Sequence, residues 1–191
     1  MIPIRWHCQI YMIMKNFKSL RIGTDCDGCI DDFWNPYIER FGHPKNDFEI
    51  TKNCQQKLSR DREFWINLPV LHRMNFTPEL YCTKRTSSKN YLRHWLERNN
   101  FPKSPIYQVF YQYGSKAPLI KGRVDVFIDD SIANFLDINK AGIPCLLMDN
   151  PSNQHLGPML RIHSMQKEEI EDVYWLAKEF GIFNNFNKYY G

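Results

Sequence analysis

Four places along the chain gather side chains suited to phosphate or to a hard metal ion. Asp25-Cys26-Asp27-Gly28 sets two carboxylates at i and i+2, and Asp129-Asp130 supplies a second acidic pair. Thr83 stands before Lys84 and Arg85, and Lys116 follows Gly114-Ser115. Carboxylates leaving a strand at i and i+2 can turn toward a common centre, and the second pair would join them there. Like charges crowded in this way are costly unless a proton is shared or a cation neutralises them. Hard oxygen ligands suit Mg²⁺, which keeps several waters and shares its remaining positions with a phosphate. Four carboxylates alone would repel a phosphate, so the chemistry requires the metal.

On this reading a carboxylate nucleophile divides phosphate-ester hydrolysis into two steps through an aspartyl phosphate. A second aspartate protonates the leaving oxygen and then activates water. The Thr83 hydroxyl and the backbone N–H groups near it are phosphate donors, with Lys84 and Arg85 behind them. Lys116 or Lys121 supplies a further positive charge that stabilises the transferring group. Lys116 is favoured, because Gly114-Ser115 provides a loop from which a lysine can reach inward, whereas Lys121-Gly122 reads as a surface helix end.

The elements that must hold these residues follow from the apolar pattern. Leu20–Thr24 is a short β-prone run ending at Asp25. Ile30–Arg40 is expected to be helical, with Phe33, Tyr37 and Phe41 on one face. The stretch to about Asn75 reads as an inserted helical lobe, with a helix over Phe48–Leu58 and an apolar segment at Glu63–Ile66. Glu79–Thr83 is the next strand. Ser87 or Ser88 caps the helix that follows, whose apolar face is Tyr91, Leu92, Trp95 and Leu96. Ile106–Tyr111 is a third strand and Val124–Ile128 a fourth, ending in Asp129-Asp130. A helix over Ile132–Lys140 stops at Ala141-Gly142, and Pro144–Met148 is a fifth strand. A last amphipathic helix spans Gln166–Phe180, with Ile170, Val173, Tyr174, Leu176 and Ala177 facing inward. The tail from Asn184 is expected to be loose.

Alternating strands and helices predict an α/β fold with a Rossmann-like, mostly parallel sheet and right-handed crossovers. Ligands in such sheets bind at the carboxyl ends of the strands. Asp25, Asp27, Thr83, Asp129 and Asp130 each fall just after a predicted strand, so all can meet at one edge. The expected organisation is an N-terminal extension over 1–19, a core over 20–32 and 76–191, and a small helical cap over 33–75.

Asp25-Cys26-Asp27-Gly28, Thr83, Lys116 and Asp129-Asp130, in that order, resemble the four motifs of the haloacid dehalogenase superfamily over roughly 21–148. The resemblance implies a Mg²⁺-dependent phosphatase. Asp25 would be its nucleophile and Asp27 its general acid/base, with the Asp27 backbone carbonyl also on the metal. Thr83 would hold phosphoryl oxygens and Lys116 would bridge Asp25 and phosphate. Asp130 would be the direct ligand of the last pair, and Asp129 a ligand or a support to one. The helical lobe corresponds to the superfamily's type-one cap. That lobe, Phe64-Trp65-Ile66-Asn67-Leu68-Pro69 and Ile128-Asp129-Asp130 look most like the 5′(3′)-deoxyribonucleotidase group, which points to a nucleoside monophosphate substrate. The chain departs from that group with Cys26 in place of the usual Met and with Asp31-Asp32 after the first motif. The lobe is also short for that group's substrate contacts.

Composition leaves this reading open and narrows the rest. Of the 191 residues, 43% are hydrophobic and 15% aromatic, enough for a real core, and 24% are charged. The net charge of +4 comes from scattered Lys and Arg rather than a stripe, weak support for nucleic acid. Six cysteines in a chain this long, without a secretory pattern, read as reduced thiols in a cytoplasm-like compartment. Pro3, Arg5, His7 and Gln9 interrupt any apolar run near the start, and no membrane-spanning run appears elsewhere. A later start at Met14 is compatible with the sequence. Cys26 and Cys29 form a CxxC, but zinc would want a second pair at similar spacing. Phe33 and Trp34 follow the nucleophile closely enough to touch substrate, although aromatics at helical spacing more often pack a core; Lys84 and Arg85 are further substrate candidates. Two other readings stay open: a phosphatase acting on nucleic-acid ends or sugar phosphates, and a non-catalytic domain that keeps the fold for binding.

Overall fold

The computed structural model describes residues 19–109, 114–156 and 160–190. The fold is α/β, built on a six-stranded sheet in which every pairing is parallel. The strands are β1 (Ile22–Thr24), β2 (Leu80–Thr83), β3 (Ile106–Gln108), β4 (Val126–Asp129), β5 (Cys145–Met148) and β6 (Arg161–Ile162), in the order β3-β2-β1-β4-β5-β6. From β1 the chain builds outward through β2 and β3, then returns to the other side of β1 with β4. The order therefore reverses between β1 and β4, where a crevice opens at the carboxyl edge of such sheets. β1, β2, β4 and β5 are buried along their whole lengths, which accounts for their continuous apolar runs.

The helices that cover the sheet begin where side chains satisfy free N–H groups. Ser88 caps α4 (Lys89–Arg98) by accepting from the Asn90 N–H, and Ser131 caps α6 (Ile132–Lys140) by accepting from the Asn134 N–H. Between β1 and β2 lie α1 (Trp34–Phe41), α2 (Asp47–Asn53) running into a π-helical turn at Cys54–Leu58, and α3 (Arg62–Ile66). This insertion is closed at its neck by two backbone hydrogen bonds, Asp32 N to Pro69 O and Leu71 N to Ile30 O, each 2.9 Å. Its aromatic residues pack on one another: Phe33 stacks on Trp65 at 5.8 Å and meets Phe64 edge-on at 6.1 Å. The indole of Trp95 on α4 donates to Leu68 O at 2.8 Å, and the insertion shares one hydrophobic cluster with the sheet core.

Several expectations need correction. The helix anticipated from Ile30 starts at Trp34, because residues 28–32 are held in a turn by the Gly28 N to Asp31 O bond and by the neck. The fourth strand begins at Val126 rather than Val124. A four-residue helix, α5 (Ala117–Ile120), follows Lys116, and the two-residue strand β6 extends the sheet; both are too short to carry a periodicity. Leu176, expected inward, is 57% exposed on α7 (Lys167–Glu179), where Ile170, Tyr174 and Ala177 form the buried stripe. The tail is not loose over 183–190. It forms a 3₁₀ turn and α8 (Phe186–Tyr190), with Phe186 buried against Phe135 of α6 at a centroid distance of 5.5 Å. The third strand ends at Gln108; its expected last residues, Phe110 and Tyr111, lie outside the described residues, as do 1–18 of the anticipated extension. Among the described residues, no helix is long and apolar enough to cross a membrane.

Candidate active site at the carboxyl edge of the sheet

In the β1–β4 register Thr24 pairs with Ile128, so the next residues, Asp25 and Asp129, emerge side by side. The Asp25 N–H still donates to Ile128 O at 2.8 Å. β2 ends at Thr83 on the other side of β1. Parallel pairing thus brings residues about a hundred positions apart in the chain to one edge.

Lys116 stands at the residue before α5 and sends its ammonium group into this edge. Its Nζ lies 2.5 Å from Asp25 Oδ2 and 2.7 Å from Asp129 Oδ2. The lysine is 1% exposed, whereas Lys121 is exposed, so of the two candidates Lys116 is the one at the acidic cluster. Asp129 is held further by the Ser131 N–H at 3.0 Å and by Asn134 Nδ2 at 3.1 Å, both on Oδ1. Asp130 Oδ2 accepts from Asn150 Nδ2 at 2.8 Å, and Asn153 Nδ2 ties the Asp130 carbonyl to the end of β5. Asp25 Oδ1 accepts from the Cys26 N–H at 2.7 Å.

Asp25, Asp129 and Asp130 each offer a carboxylate oxygen within 4.8 Å of the others. Burial pushes the Asp25 pKa up to about 7; Lys116 opposes the rise, while Asp129 and Asp27 add to it. Burial, then Asp129 and Asp25, push Asp130 well above the usual carboxylate range. Burial works against the charge on Lys116, but Asp129 and Asp25 outweigh it and hold the lysine firmly protonated. Fully ionised, the three carboxylates would carry more negative charge than one lysine relieves, and that excess is part of what biases Asp25 and Asp130 toward holding a proton. Hard carboxylate oxygens in excess of their cations are the donor set that suits Mg²⁺, so the residues fit the ion anticipated from the sequence.

Asp27 stands apart from that trio. Its Oδ2 accepts from Thr83 Oγ1 at 3.1 Å and from Arg85 Nε at 2.9 Å. Arg85, 2% exposed, is turned toward Asp27 and Asp31. Lys84 is half-buried, and burial followed by Lys116 lowers its pKa. Phe33 is buried in the aromatic cluster of the insertion, and Trp34 is half-buried beside it. Cys26 and Cys29 are free and buried, with thiol pKa values raised chiefly by burial.

Sequence reasoning did not assign Ser131, Asn134, Asn150 or Asn153 to the site. Asn150-Pro151-Ser152-Asn153 directly follows the predicted fifth strand, and the strand-end rule applied to the other elements would have reached it. No protein-family model matches the chain, and a search of the curated proteins finds no match.

Proposed function

We propose that the chain is a Mg²⁺-dependent phosphomonoester hydrolase of the haloacid dehalogenase type, working through an aspartyl phosphate on Asp25. The observation that carries the reading is the cluster of Asp25, Asp129 and Asp130 within 4.8 Å, with Lys116 bridging two of them, at the switch point of a parallel sheet. Asp25, Asp129 and Asp130 would hold Mg²⁺, together with the Asp27 backbone carbonyl that the motif resemblance implies. The ion, when bound, offsets the negative charge of a phosphate and of the carboxylates around it.

The side chains then divide the work. Asp25 attacks phosphorus, forming an acyl phosphate as the ester P–O bond breaks. Asp27 gives its proton to the departing oxygen, then takes one from the water that attacks phosphorus and releases inorganic phosphate and Asp25. Lys116 neutralises Asp25 and the transferring oxygens, and Asp129 holds Lys116 in place. Thr83 lies beside Asp27, within reach of the same edge. The insertion between β1 and β2 corresponds in chain position to the superfamily's cap, and the ring centroid of its Trp65 lies 4.9 Å from the guanidinium carbon of Arg85, the partner of Asp27.

The favoured substrate is a small phosphorylated metabolite, with a nucleoside monophosphate first, and the compartment is cytoplasmic. The test is p-nitrophenyl phosphate turnover with and without Mg²⁺, followed by nucleoside monophosphates, sugar phosphates and 3′-phosphorylated oligonucleotides. Mg²⁺-dependent turnover with a preference for mononucleotides is expected. No turnover of any ester would favour a binding domain, and preference for oligonucleotide ends would move the substrate class.

A further inference from the structure

Arg85 makes an arrangement that the hydrolytic reading does not require. Its Nε donates to Asp27 Oδ2 at 2.9 Å, and its Nη2 lies 2.7 Å from Asp27 Oδ1, out of line for a hydrogen bond. The same Nη2 donates to Asp31 Oδ2. Its guanidinium carbon lies 4.9 Å from the ring centroid of Trp65, on α3 of the insertion, within the range of a cation–π contact. Asp31 is fully buried and lies in the neck, in backbone bridges to Asp27 and Val70. One guanidinium thus touches the acid/base candidate, the neck and the inserted helices.

Stability does not account for this group. A buried ion pair is weak support for a fold, because desolvation offsets its attraction. Here Arg85 Nη1, Asp31 Oδ1 and Ser87 Oγ are also buried without a hydrogen-bond partner among the described residues, and such groups are costly to bury. Apolar side chains of similar volume would fill the space at lower cost. What the guanidinium supplies is geometry: one nitrogen hydrogen-bonded to Asp27 Oδ2 and a second 2.7 Å from Oδ1 hold both oxygens of that carboxylate against one rigid group, in a way a lysine cannot.

We propose that Arg85, anchored by Asp31 and stacked on Trp65, is a positioning residue that sets the orientation of the Asp27 carboxyl and ties it to the inserted helices. The inference rests on the hydrolytic reading, in which Asp27 serves the leaving group. Aryl esters such as p-nitrophenyl phosphate leave with little need of a proton, whereas alkyl esters such as glycerol phosphate depend on one. A misoriented Asp27 therefore penalises alkyl esters selectively, whereas general damage lowers both.

The experiment compares kcat/KM for glycerol phosphate and p-nitrophenyl phosphate in the wild type, Arg85→Lys, Asp31→Asn, and the two substitutions in an Asp27→Asn background. Acid catalysis contributes about 10²- to 10⁴-fold, so each single variant should lose at least about tenfold more on the alkyl ester. In the Asp27→Asn background that selective loss should vanish, because the residues act through one another. Equal losses on both esters, or a selective loss that persists without Asp27, would overturn the positioning role alone. A wild type inert toward both esters overturns the hydrolytic reading, and this inference with it. Should the single variants not fold, Asp31→Leu/Arg85→Met removes both buried charges together and should fold; it must show the same selective loss, and a wild-type ratio of the two rates would refute the proposal.

Discussion

The Asp130 carboxylate lies where a side chain on Gly28 would begin: a Cβ built there falls 2.1 Å from Oδ2 and 2.5 Å from Cγ. Gly28 also has φ of 72°, the left-handed region that glycine enters freely. Asp130 cannot swing aside at little cost, since Asn150 holds its side chain and Asn153 its carbonyl. The glycine after Asp27 therefore makes room for a carboxylate that arrives from β4.

Gly28→Ala tests this relationship. The left-handed backbone alone should cost roughly 1–2 kcal/mol, read as a lower denaturant midpoint. Displacing Asp130 should also weaken Mg²⁺ binding by about 10- to 100-fold, read by calorimetry. Unchanged stability and affinity would show that the close approach is not maintained in solution.

The choice of lysine can be checked in the same way. Lys116→Ala leaves Asp25 and Asp129 buried beside each other without their shared cation, and breaking a buried pair costs about 3–5 kcal/mol. Lys121 is exposed, and Lys121→Ala should stay within about 0.5 kcal/mol of the wild type. On the proposed mechanism, p-nitrophenyl phosphate turnover is lost in the first variant and kept in the second.

The pH dependence follows from the raised pKa of Asp25, about 7 in the fold against an ordinary value of 3.8. Between these values the unfolded chain has released the proton while the folded chain still holds it. The folded state then binds more protons, so this group makes stability fall as pH rises from about 4 to about 7. Asp25→Asn should flatten that part of the profile in thermal melts without added metal. Mg²⁺ needs ionised carboxylates, so its increase in Tm should be larger at pH 8 than at pH 5.

The sheet and its edge were legible in the sequence because buried parallel strands are short apolar runs, and β1, β2 and β4 lead directly into the carboxylates and the hydroxyl singled out as site candidates. Ser88, one of the two serines offered as a cap, and the Ala141-Gly142 stop marked their helix ends through local signals that sequence exposes directly, whereas the Ser131 cap was not read. Other features depend on partners far along the chain. Asn150 is one polar residue in a turn until folding sets it on Asp130, and the Asn- and Tyr-rich tail packs through ring contacts with distant residues, Phe186 on Phe135 and Phe183 on Tyr174. Leu176 shows the limit of periodicity, since the buried stripe of α7 is narrower than its apolar content. Arg85 was singled out beside Thr83 for a substrate, but its partners Asp31 and Trp65 lie in the neck and the insertion, whose geometry no local pattern encodes.

The central claim is that the Asp25 carboxylate is the attacking group, and one comparison addresses it most directly. Wild type and Asp25→Asn are assayed for p-nitrophenyl phosphate turnover over a range of Mg²⁺, with thermal melts to show that both are folded. The account predicts Mg²⁺-dependent turnover in the wild type and none above background in the folded variant. Turnover in folded Asp25→Asn within about tenfold of the wild type, a difference of about 1.4 kcal/mol in barrier, would contradict it.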